Sequence, residues 1–134
     1  MDAVSHAEEN NTLTKVMVID DSKTIRRTAE TLLAKAGFTV ITASDGFEAL
    51  AKVVDHQPDI IFMDIMMPRL DGYQACALIK NNDAFKNTPI IMLSSKDGLF
   101  DRALQFGVAL VAEAGHDDVV GGVHGDGRIE VRSC

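Results

Sequence analysis

From Lys15 onward the chain alternates between short unbroken apolar runs and stretches whose apolar residues recur at helical spacing. The first run, Lys15 to Ile19, reads as a buried strand. Ser22 then caps a helix carrying Ile25, Ala29, Leu32, Leu33 and Ala36 on one side, and Gly37 closes it with a left-handed turn. A second strand is predicted over Phe38 to Thr42. A second helix follows from Asp45-Gly46, with Leu50, Val53 and Val54 inward, and ends at His56-Gln57-Pro58. Asp59 to Met63 is the third strand, Tyr73 to Lys80 the third helix with Cys76 and Ile79 inside, and Pro89 to Leu93 the fourth strand. After Ser94-Ser95, the turn Asp97-Gly98 leads a fourth helix from about Leu99 to Phe106. Continuous apolar strands joined by helices are the pattern of a parallel sheet covered on both faces, so the expected fold class is α/β, a doubly wound parallel sheet.

The two ends of the chain break this pattern. Residues 1–14 are rich in Asn, Glu and Thr and read as a flexible leader. The regular core is expected over 15–102, and residues 103–134 form an atypical Gly-rich tail, either disordered or read from a shifted frame. Six of the ten glycines fall in the last 28 residues, which contain neither Lys nor Pro. Within that tail Val108 to Val111 is the candidate fifth strand, and Arg128 to Arg132 alternates like an exposed one.

A length of 134 residues sets one domain as the prior. The net charge of −7 argues against nucleic-acid binding, which needs a basic face. No apolar stretch is long enough for a membrane span, and the first residues do not resemble a signal peptide, so a cytoplasmic protein without membrane insertion is expected. Cys76 is expected to be a small core residue rather than half of a disulfide with Cys134.

The chemistry sits where strands meet acids. Asp20 and Asp21 follow the first strand and Asp64 follows the third. In an open parallel sheet ligands bind outside the carboxyl ends of the strands, so side-by-side placement of these two strands would surround one crevice with three carboxylates. Such a cluster suits Mg2+, a hard cation that takes oxygen ligands and keeps room for a phosphate. A carboxylate beside the cation can serve as nucleophile toward a phosphoryl group, and the Ser94 hydroxyl could hydrogen-bond a phosphoryl oxygen. An Asp-Asp pair ahead of a helix is by itself more often only a cap; Asp64 and Ser94 in register shift the balance.

The succession V-M-V-I-D-D-S, then I-I-F-M-D-I-M-M-P-R-L-D-G-Y, then P-I-I-M-L-S-S-K resembles the receiver domain of two-component response regulators, and more narrowly the PilG-type, chemotaxis-like regulators of type IV pilus twitching motility. That resemblance implies a flavodoxin-like receiver fold with strand order 2-1-3-4-5. It implies Asp64 as phosphoacceptor, Ser94 as switch hydroxyl, and Mg2+ held by Asp20, Asp21, Asp64 and the backbone carbonyl of Met66. The implied phosphodonor is a CheA-like histidine kinase, the implied target a pilus or motility protein, and the implied state a monomer. The chain would then be a phosphoacceptor signalling domain rather than a metabolic enzyme.

The family's lysine at the end of the fifth strand has no counterpart: counting from Asp64 places it near His116, its switch aromatic falls near Glu113, and no lysine follows Lys96. Lys96 reads as a surface charge, and His116, Asp117, Asp118, His124 and Asp126 have no metal-site spacing. Two alternatives therefore stand beside the receiver. One is a degenerate receiver that only binds proteins. The other is a Mg2+-dependent phosphohydrolase, disfavoured because Met66 occupies the place where such enzymes carry a second acid.

Overall fold

The computed structural model describes residues 15–93, 120–123 and 129–131. Its elements are β1 (Lys15–Ile19), α1 (Lys23–Lys35), β2 (Thr39–Ala43), α2 (Gly46–His56), β3 (Ile60–Asp64), α3 (Gly72–Lys80), a single 3-10 turn (Asp83–Phe85), β4 (Ile90–Leu93), β5 (Val120–Val123) and β6 (Ile129–Val131). The sheet runs β2-β1-β3-β4-β5-β6. β1 through β5 pair in parallel, and β6 returns antiparallel to β5. The order 2-1-3-4 of a doubly wound flavodoxin-like sheet is thus realised.

Period-two alternation along β1 divides the core. Val16 and Val18 join Phe62, Ile91 and the α1 residues Ala29 and Leu33 on one side of the sheet. Met17 and Ile19 join Met63, Met92 and the α2 and α3 residues Ala49, Val53, Ala75, Cys76 and Ile79 on the other. The two clusters make a three-layer molecule in which the strands, buried on both faces, need apolar residues at every position. At full burial each such side chain contributes roughly 1.5–3 kcal/mol.

Several boundaries differ from the sequence reading for local reasons. β2 begins at Thr39 because the Phe38 N–H is engaged by the Leu33 carbonyl at the end of α1. β3 includes Asp64, which pairs with Leu93 of β4, so this acid is the strand's last residue rather than the one beyond it. Val54 is 57% exposed, contrary to expectation. The face of α2 turned to the sheet is Gly46, Ala49 and Val53, and Val54 lies about 100° around the helix from Val53. Ala36 is exposed as the C-cap of α1, and Gly37 takes φ +100°.

Cys76 is fully buried in α3, as expected of a core residue, yet it is not a free thiol; its partner lies outside the described residues. The candidate strand Val108–Val111 and the helix Leu99–Phe106 also lie outside them. The place beside β4 is taken by Val120–Val123, through the pairs Ile90 with Val120 and Ile91 with Gly121. The strand read from Arg128 to Arg132 appears as β6. Among the described residues no helix is long and apolar enough to cross a membrane.

Candidate functional site

β1 and β3 are neighbours in the sheet, with Ile19 opposite Met63. Their carboxyl ends therefore deliver Asp20, Asp21 and Asp64 to one place, where a carboxylate oxygen from each lies within 4.8 Å of the others. Asp20 and Asp64 are buried and Asp21 is exposed. The crevice they border is open and about 700 Å3 in volume, walled on its other sides by Ser22 and Ile25 of the α1 entry and by Met66, Met67, Pro68 and Asp71 of the β3–α3 loop.

Asp20 and Asp64 are held by backbone groups. The Asp20 N–H donates to the Ala43 carbonyl (3.1 Å), its carboxylate accepts from the Ser22 N–H (2.8 Å), and the Arg26 guanidinium binds its carbonyl (2.8 Å). Ser22 in turn caps α1, its hydroxyl accepting from the Ile25 N–H (3.3 Å). The Asp64 carboxylate accepts one bond, from the Met66 N–H at 3.2 Å. That bond opposes protonation but is outweighed: burial first and the neighbouring Asp20 charge second, with Asp21 adding to them, push the Asp64 carboxyl up to about 7.

The β3–α3 loop is fixed at several points. Gly72 donates to the Ile65 carbonyl (3.0 Å) and Leu70 to the Pro68 carbonyl (2.7 Å). Asp71 and Gln74 form a reciprocal capping box at the start of α3. A Cβ on Gly72 would stand 2.5 Å from the Asp64 carbonyl oxygen and collide with the Met92 side chain, so only glycine fits beneath the end of β3. Arg69 adopts φ +69°, a left-handed conformation that costs an L-residue roughly 1–2 kcal/mol. It ion-pairs with Asp45 at 3.0 Å, its guanidinium lies 5.5 Å from the centre of the Phe47 ring, and neighbouring Leu70 covers Gly46.

The structure thus brings together Asp20, Asp21, Asp64 and Met66, while Ser94, Lys96 and His116 lie outside the described residues. The sequence pattern alone assigned no chemistry to Asp71, Gly72 or Arg69. The steric demand at Gly72 and the ion pair to Asp45, 24 residues away in sequence, become visible only in three dimensions. The donor set fits a hard divalent cation. All the side-chain ligands are oxygens, and a separation below 4.8 Å suits an octahedral ion whose opposed ligands stand about 4.2 Å apart.

A family profile described as the response regulator receiver domain matches residues 16–112. Over 89 residues the chain is 81% identical to Protein PilG of Pseudomonas aeruginosa, covering 66% of each chain. It is 41% identical over 90 residues to the alkaline phosphatase synthesis transcriptional regulatory protein PhoP of Bacillus subtilis, covering 67% of this chain and 37% of that one. The chain therefore spans about two thirds of the first relative and little more than a third of the second. Among solved structures, the chemotaxis protein CheY4 of Vibrio cholerae superposes with a TM-score of 0.60 at 35% identity, over 69% of this chain and 81% of that one. The response regulator TrrA of Thermotoga maritima, solved in complex with Mg2+-BeF, superposes with a TM-score of 0.58 at 26% identity, over 71% and 81%. With sheet order, acidic crevice and sequence in agreement, the chain belongs to the response regulator receiver domain family.

Proposed function

We propose that the protein is a response regulator of a cytoplasmic phosphorelay, accepting a phosphoryl group on Asp64 from a CheA-like histidine kinase. The likeness to Protein PilG supports an output in type IV pilus twitching motility or chemotaxis-like signalling. The observation that carries the reading is the convergence of three carboxylates at the ends of β1 and β3, with the ionisation of Asp64 opposed by burial and by its acidic neighbours. Asp20, Asp21, Asp64 and the Met66 carbonyl would hold Mg2+. When bound, the cation would neutralise the cluster and the incoming phosphoryl oxygens. An Asp64 carboxylate oxygen then bonds to phosphorus as the phosphorus–nitrogen bond of the donor phosphohistidine breaks, and the departing imidazole retains its electron pair and takes a proton. The Ser94 hydroxyl would donate a hydrogen bond to a phosphoryl oxygen as the switch hydroxyl. The core at 15–102 performs this exchange, flanked by the leader at 1–14 and the Gly-rich tail at 103–134, and the protein acts as a monomer without nucleic-acid or membrane partners.

The test is incubation with acetyl phosphate and Mg2+ followed by intact mass. A phosphoryl adduct in the wild type that is absent from Asp64→Asn is expected; no adduct, or one that survives the substitution, overturns the proposal.

A second reading, a receiver that only binds proteins, is favoured by one observation. The strand beside β4 is Val120–Val123, the residue after it is His124, and no lysine occurs after Lys96. A cation at this strand end would stabilise charge on the transferring phosphoryl group, and its loss weakens both transfer and switching. A transferred phosphoryl group that leaves partner affinity unchanged would select this reading.

A further inference from the structure

We infer that Arg69 is a positioning residue for the acidic crevice: its ion pair with Asp45 clamps the β3–α3 loop to the start of α2 and thereby sets the affinity of the crevice for a divalent cation. The inference rests on reading the crevice as a cation site. Two described residues other than glycine have positive φ, Gln57 and Arg69. Gln57 is the C-cap of α2, where a left-handed residue is ordinary. Arg69 caps nothing; it sits in the middle of the loop that walls the crevice, and strain of this kind persists only where surrounding contacts enforce it.

Those contacts all lie on α2. The guanidinium reaches Asp45 Oδ2 and the face of Phe47, and Leu70 presses on Gly46 so closely that a Cβ there would stand 2.8 Å from it. The receiving end is itself fixed. Asp45 Oδ1 caps α2 through the Glu48 N–H, and the Glu48 carboxylate takes the Ser44 N–H and hydroxyl as well as the Lys52 ammonium. The other end of the loop carries the Met66 N–H that holds Asp64. A rigid helix start, a charged clamp and the backbone donor to the acceptor carboxylate form one contiguous path.

The experiment is calorimetric Mg2+ titration of the metal-free full chain, comparing wild type with Asp45→Asn, Arg69→Asn and the double variant. Asparagine caps a helix as well as aspartate and tolerates left-handed φ, so the substitutions remove the charge pair while keeping the local backbone. The dissociation constant is expected to rise roughly fivefold in each single variant and no further in the double, the signature of one shared interaction. Amide exchange of the metal-free Asp45→Asn protein should quicken over residues 65–71 and stay unchanged within α2, which a general loss of stability would not do. Single variants that bind Mg2+ as the wild type does, or a loop whose exchange is unaltered, overturn the clamp. A wild type that binds no Mg2+ overturns the cation reading itself, and the positioning role with it.

Discussion

The β2–α2 corner and the β1–β3 crevice are both rich in carboxylates, and the Arg69 bridge joins them, yet their electrostatics are opposite. In the corner every acid has donors. Glu48 accepts the Ser44 N–H at 2.6 Å and its hydroxyl at 2.8 Å and pairs with Lys52, so its carboxyl is held down to about 2. The largest cause is the Ser44 backbone bond, with the hydroxyl next and Lys52 last. At the floor of the crevice Asp64 is itself buried, meets one backbone donor and two other acids, and its carboxyl rises to about 7. The corner has satisfied its charge within the fold, whereas the crevice carries a conflict that either a proton on Asp64 or a bound cation relieves.

The severest way to break the contrast is Gly72→Ala. The new methyl would collide with the Asp64 carbonyl, which is backbone and cannot swing aside. A loss of at least about 3 kcal/mol is expected from such overpacking, read as a lowered melting midpoint with loss of Mg2+ binding.

Asp64→Asn acts in the opposite direction. Between about pH 4 and 7 the folded protein retains a proton on Asp64 that the unfolded chain has released, so metal-free stability falls as pH rises through that window. The asparagine variant should lose this slope and at pH 7 gain about 2 kcal/mol, half of the full conversion of the shift because the crevice is open to water. Denaturant midpoints at pH 4 and pH 7, with and without Mg2+, check it; saturating Mg2+ should erase the wild-type slope, and a slope of the same size in Asp64→Asn would sink the account.

Glu48 gives the smallest and sharpest comparison. Its folded carboxyl lies below its unfolded value of 4.5, so its contribution is complete above that pH and fades as pH falls toward about 2. Glu48→Gln should therefore flatten the acid limb of a melting-temperature profile and leave the crevice-dependent slope above pH 5 intact.

How far the chain could be read from its sequence varied by element for physical reasons. Lys15–Ile19 and Ile90–Leu93 were legible because strands buried on both faces require unbroken apolar runs. The start of α2 was marked by Asp45, whose side chain caps it. Val54 was misplaced because adjacent valines look alike in sequence, and only the rotation of α2 against the sheet distinguishes them. The strand beside β4 was sought at Val108–Val111 on apolar content. The structure places Val120–Val123 there, a Val-Gly-Gly-Val stretch whose propensity for strand is poor.

By itself the sequence determined which residues could carry the chemistry: acids at the strand ends of an alternating series of strands and helices. Local pattern encodes these because each depends on residues near in the chain. Only the tertiary structure decided that β1 lies against β3, bringing Asp20 and Asp21 within 4.8 Å of Asp64. It also decided that Asp64 is buried among like charges and that Arg69 reaches Asp45. Charge conflict and steric fit are properties of distance in space, and separations of 24 residues for Arg69 and Asp45 and 44 for Asp20 and Asp64 leave no local trace of them.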